Sequence, residues 1–195
     1  ERAEAAGAVN TDTRQRLGGL QSTLSEQEAL VSLYVLGRRG QSAIQTQRDL
    51  GRNVERVVRS LQKPILAVTD DFKAPQSALL AFDGGSVTRR GVEMIAGSKL
   101  FRGMPVHLLM SGKPGRDAAK QLEWAQKKLT KAGYDAPAEI IPGDAERIIA
   151  EQLNAKGIDM LVMGAFSHSI FRSFLLGSKT ADLLRSATVP TLLLR

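Results

Sequence analysis

A repeated strand, loop, helix and strand pattern constrains this chain more than any single residue does. Towards the end, Met163-Gly164-Ala165-Phe166-Ser167 is followed by nine residues and then Gly177-Ser178, before Pro190 opens the apolar run Thr191–Leu194. Earlier, Leu36-Gly37-Arg38-Arg39-Gly40 is followed by ten residues and then Gly51-Arg52-Asn53, before Pro64 opens Ile65–Val68. Each copy reads as a strand, a glycine-bearing loop, a helix and a proline-led strand. Self-similarity on this scale fixes an architecture before side-chain chemistry does.

Within the second copy the pattern alternates throughout. Residues 77–82 form a short apolar run ended by Asp83-Gly84-Gly85, and residues 86–96 carry helical periodicity. Residues 105–110 read as a second strand, 116–132 as a long amphipathic helix, and 138–141 as a third strand. Asp144 caps a helix to Asn154, Lys156-Gly157 closes it, residues 158–163 read as a strand that is apolar apart from Asp159, and Ser178 opens a helix before the last strand. Five strands alternating with four helices predict an α/β, Rossmann-like open parallel sheet with helices on both faces. In such a sheet ligands sit at the carboxyl ends of the strands.

The first copy is incomplete. It retains an expected strand around residues 9–14, a helix over 20–30, a strand over 33–36, a helix over 53–60 and the strand Ile65–Val68. A half-sheet of this kind leaves strand edges without partners. The expected organisation is therefore residues 1–69 as the latter half of one unit, 70–76 as linker and 77–195 as a whole second unit, either as a fragment of a longer tandem protein or with an absent segment that normally completes the first copy.

Composition narrows the function classes. Of 195 residues, 43% are apolar and 24% charged, which is ordinary for a globular chain. The apolar runs are strand-sized, far short of the roughly 18–20 residues a bilayer-spanning helix needs. There is no cysteine, so disulfides and thiolate metal sites are excluded, and a reducing compartment, the cytoplasm, is expected. The net charge of +7 raises the question of a polyanionic partner. Yet the basic residues are spread through helices among glutamates and aromatics are only 5%, leaving no stacking platform for nucleic acid.

The carboxy-terminal pattern resembles the universal stress protein family, whose nucleotide-binding members carry Gly, two residues, Gly, nine residues, then Gly and Ser or Thr. Residues 77–195 resemble one whole domain and residues 1–69 the latter half of another. The resemblance implies an adenine-nucleotide site holding ATP, with magnesium. Gly164 would end the strand beneath the ribose and phosphates, Ser167 would stand where the second glycine is usual, and Gly177 with Ser178 would cradle the terminal phosphates. Asp83 is placed near the adenosine and the backbone around Met110 beside the base, while His168, Arg172 and Lys179 would add charge. The family also implies pairing through last strands, Ile65–Val68 against Thr191–Leu194, in a pseudo-dimer or homodimer. Such a protein would be a non-catalytic stress-response regulator; a nucleotide-free scaffold acting through protein contacts and a nucleotide-dependent enzyme of related topology are the alternatives.

Each motif also has a plainer meaning. Gly177-Ser178 is a normal helix start, with Ser178 as an N-cap worth about 1 kcal/mol. Asp83-Gly84-Gly85 is equally a turn after a strand, and His107 reads as a packed polar group. Serine at 167 costs on the order of 1–2 kcal/mol where a positive φ is needed, roughly a tenfold loss of phosphate affinity. In the first copy Arg52 replaces the Ser or Thr, so that site is expected to be defunct. No Gly-Lys-Ser/Thr phosphate loop and no His, Cys and carboxylate set at catalytic or metal-ligand spacing occurs in the sequence.

Overall fold

The structure is a computed structural model, which describes residues 5, 7, 10–37, 57–69, 72–113, 115–165 and 187–195. Among these, seven strands form one sheet: β1 (Tyr34–Gly37), β2 (Ile65–Val68), β3 (Ala78–Ala81), β4 (Val106–Ser111), β5 (Ala138–Ile141), β6 (Leu161–Gly164) and β7 (Thr191–Leu194). Their order is β1-β2-β7-β6-β3-β4-β5. Every neighbouring pair is parallel except β2 with β7, which run antiparallel. The five strands expected in the second copy are thus one wing of the sheet, and the first copy adds two more.

The two copies use the same register. Tyr34 pairs with Ile65 and Gly37 with Val68, just as Leu161 pairs with Thr191 and Gly164 with Leu194. The proline before each last strand plays one role twice: the Tyr34 N–H donates to the Pro64 carbonyl and the Leu161 N–H to the Pro190 carbonyl, both at 3.0 Å. Proline has no N–H to give to a ladder, but its carbonyl can still accept at a strand's first position.

Helices cover both faces. On one side α1 (Leu20–Gln27), the helical residues 57–60 and α4 (Ala145–Ala155) lie over Leu79, Ala81, Leu109, Leu161, Met163 and Leu193. On the other, α2 (Ser86–Gly97) and α3 (Arg116–Lys131) lie over Leu80, Phe82, Leu108, Met110, Val162 and Leu194. The period-two alternation sorts side chains between the faces, and a sheet buried on both faces explains why β3, β6 and β7 are apolar almost without interruption. In α3 the buried residues Leu122, Ala125 and Leu129 recur at helical spacing. Asp117 stands in its first turn and Lys128 and Lys131 in its last, matching the helix dipole.

Some expected elements shift. Residues 10–14 are not a strand: Asn10-Thr11-Asp12-Thr13-Arg14 is polar and exposed and has no ladder to join. The helix expected over 20–30 tightens into a 3-10 turn at Glu28–Leu30. The strand expected from residue 158 begins at Leu161, because the Ile158 N–H is still committed to Leu153 O at the end of α4. Among the described residues no helix is long and apolar enough to cross a membrane.

Candidate functional site

Strand order reverses at β3: its successor β4 lies on one side and β6 on the other. This is the topological switch point where open α/β sheets bind ligands, outside the carboxyl ends of the strands. A cleft of about 340 Å³ opens at that end, lined by Phe82 and Asp83 after β3, Met110 and Ser111 at the end of β4 with Gly112 and Lys113 after it, and Gly143 to Ala145 at the start of α4. Ile149 of α4 and Leu109 of β4 give it an apolar floor.

Asp83 is buried although it is charged. Its Oδ1 accepts from the Gly85 N–H at 2.9 Å and from the Thr88 hydroxyl at 2.5 Å, so the turn and the first turn of α2 hold the carboxylate in place. Gly84 between them has φ +75°, and a Cβ there would collide with the Gln121 amide of α3. Only glycine meets both demands, positive φ and close approach. Arg89 reaches back to donate from Nε to Gly84 O at 3.0 Å, while its guanidinium lies 4.6 Å from the centre of the Trp124 ring. Trp124 in turn stacks on Phe82, centroid to centroid 6.5 Å. The turn bearing Asp83 is therefore fixed from α2 and α3 at once.

The opposite wall is built differently. Gly112 N–H donates to Ile141 O at 3.1 Å, extending the β4–β5 pairing beyond the ladder. Asp144 caps α4 by accepting from the Arg147 N–H at 3.3 Å. The start of α4 lines the cleft through Gly143, Asp144 and Ala145, and Lys113 lines it from just after β4. The lining offers a fixed carboxylate at Asp83, strand-end backbone at Met110 and Ser111, and a lysine beside the start of α4. A volume of this size lies in the range of small-molecule sites.

Of the residues expected from sequence, Asp83 and Met110 come together in the cleft. Gly164 ends β6, the strand beside β3, half-buried and paired with Leu194, and does not line the cleft. Ser167, His168, Arg172, Gly177, Ser178 and Lys179 lie outside the described residues, as do Gly40, Gly51 and Arg52. His107 lies at mid-strand on β4 near Lys156 and Glu139, away from the cleft. Sequence reasoning missed Gly112, Lys113, Gly143 and Asp144 as lining residues. The signal was present in Pro142-Gly143-Asp144, a strand-to-helix turn at a carboxyl end, which was read only as a helix cap.

Residues 106–195 match the profile of the Universal stress protein family. A universal stress protein of Synechocystis sp. is 34% identical over 192 residues, covering 97% of this chain and 67% of the relative. Among solved structures, a universal stress protein from Archaeoglobus fulgidus DSM 4304 superposes with a TM-score of 0.77 at 17% identity, over 98% of this chain and 71% of that one. A universal stress protein in complex with cAMP superposes with a TM-score of 0.53 at 21% identity, over 63% of this chain and 98% of the other. The two structural likenesses speak for the fold, and the sequence identity to the Synechocystis relative goes further: this chain belongs to the universal stress protein family.

Proposed function

We propose that this protein is a stress-response regulator that binds an adenine nucleotide, ATP with its magnesium counter-ion, and signals by occupancy rather than by turnover. The observation that carries the reading is the cleft at the switch point, with the held carboxylate of Asp83 on one wall and the start of α4 with Lys113 on the other. Asp83 would accept from the adenosine, the backbone at Met110 and Ser111 would border the base, and Gly164, Ser167, His168, Gly177, Ser178 and Lys179 would supply the phosphate side. A structural neighbour solved with cAMP supports an adenine ligand. The copies at residues 1–69 and 77–195, joined by the linker 70–76, would form a tandem pair in the cytoplasm. Their common register and the antiparallel contact of β2 with β7 support pairing through last strands.

The test is thermal unfolding of the whole chain with and without millimolar ATP and magnesium. Binding well above Kd raises the melting temperature, and Gly177→Val removes the rise. No shift leaves the scaffold reading, in which the same fold acts through protein contacts alone. ATP loss followed over hours, compared with Ser178→Ala, decides the enzyme reading: equal rates dismiss it.

A further inference from the structure

Arg195, directly after β7, sits half-buried where three segments meet. Its Nε donates to Leu61 O at 2.8 Å, Nη2 to Arg59 O at 3.2 Å and Nη1 to Ala165 O at 3.3 Å. Arg59 and Leu61 stand at the end of the helical residues 57–60, where orphan carbonyls and the negative end of the dipole favour a cation. Ala165 follows Gly164 at the end of β6. The Arg195 carbonyl accepts from Arg90 Nη2 of α2 at 3.1 Å. On the far side Glu28 accepts from the Gln62 N–H and from the Lys63 N–H at 2.9 Å, clamping the turn that Arg195 reaches.

The planar fork of an arginine can hold several acceptors in one geometry, which a lysine cannot. Here its acceptors belong to different halves of the sheet: residues 59 and 61 precede β2, and residue 165 follows β6. We propose that Arg195 is a positioning residue that couples Ala165, at the end of β6, to the 57–63 segment of the other half. A change on one side of the β2–β7 seam is then felt on the other through this guanidinium in addition to the strand pairing. The ligand arm of the test rests on the nucleotide reading above; the exchange arm does not.

The experiment is amide hydrogen exchange on the whole chain, wild type against Arg195→Gln and Arg195→Lys. In the ligand-free protein, Arg195→Gln raises exchange about tenfold at Gln62, Lys63 and Ala165 together, and Arg195→Lys restores part of it. An increase on one side only, or on neither, overturns the coupling. With saturating ATP and magnesium, wild type gains protection at Gln62 and Lys63, and Arg195→Gln loses that gain while weakening ATP binding. If ATP binds wild type and leaves Gln62 and Lys63 unchanged, the coupling is overturned although the nucleotide reading stands. If ATP does not bind at all, the nucleotide reading fails and the ligand-free comparison alone decides the role of Arg195.

Discussion

Gly91 of α2 lies directly against Leu194 of β7: a Cβ on Gly91 would fall 2.2 Å from Leu194 Cδ1, inside any permitted contact. Gly97, the last residue of the same helix, faces open space. Glycine in a helix costs roughly 0.5–1 kcal/mol relative to alanine, so the two positions oppose each other in sign. Gly91→Val overpacks a buried contact and lowers unfolding free energy by about 2–3 kcal/mol, whereas Gly97→Ala raises it by about 0.5 kcal/mol. Urea midpoints of the two variants decide the matter; a fall in both, or in neither, contradicts the packing argument.

Asp159 ties the start of β3 to the approach of β6. Its carboxylate accepts from the Gln76 N–H at 3.0 Å, the Ser77 N–H at 2.8 Å and the Ser77 hydroxyl at 3.1 Å. Removing it leaves backbone donors without an acceptor, so Asp159→Ala costs about 2 kcal/mol, and Asp159→Asn, which keeps one acceptor oxygen, costs about half as much. Chemical denaturation reads both, and equal losses would show that charge rather than hydrogen bonding matters there.

His107 gives a pH dependence of known sign. Burial on β4 pulls its pKa below the ordinary 6.5, Lys156 pulls the same way, and Asp135 and Glu139 pull back. Because the folded protein holds the proton less tightly than the unfolded chain, stability is fully present above about 6.5 and declines as pH falls from there towards the folded pKa. Below the folded pKa this contribution is constant. His107→Gln removes that part of the slope, which urea unfolding at a series of pH values between 7.5 and 5 measures; an unchanged slope refutes the assignment.

Trp124 is the sole tryptophan, and it stands between Arg89 and Phe82 behind the turn that carries Asp83. Its emission therefore reports on that turn. Arg89→Met removes the cation over the ring and the hydrogen bond to Gly84 O, with an expected loss of about 1 kcal/mol and a changed emission intensity in the folded state. An identical spectrum with unchanged stability would mean that the stack does not hold the turn.

How far the fold was legible depends on what each residue answers to. β2, β5 and β7 fall where apolar residues and flanking prolines put them, because both signals are local, whether the strand is buried throughout like β7 or half-buried at the sheet edge like β5. The extension of the sheet from five strands to seven was not local. It required Ile65–Val68 to meet Thr191–Leu194, a contact the repeat and the family resemblance implied but no propensity encodes. The strand expected at residues 9–14 failed for the converse reason, since a polar extended segment becomes a strand only where a ladder receives it. In the site, Asp83 was legible as a carboxylate at a strand end. Lys113 and Gly143 were not, because they belong to loops whose meeting is set by the order of β4 and β5 in the sheet.

The antiparallel seam between β2 and β7 has a consequence for biosynthesis. Ile65 pairs with Leu193, so nearly the whole length of chain that separates them must be made before the contact can close. Until then β2 pairs with β1 alone, and its other edge waits without a partner. Contacts of such long range form slowly, and exposed strand edges invite wrong pairings meanwhile. A chain stalled before residue 191 would thus present that edge to its neighbours.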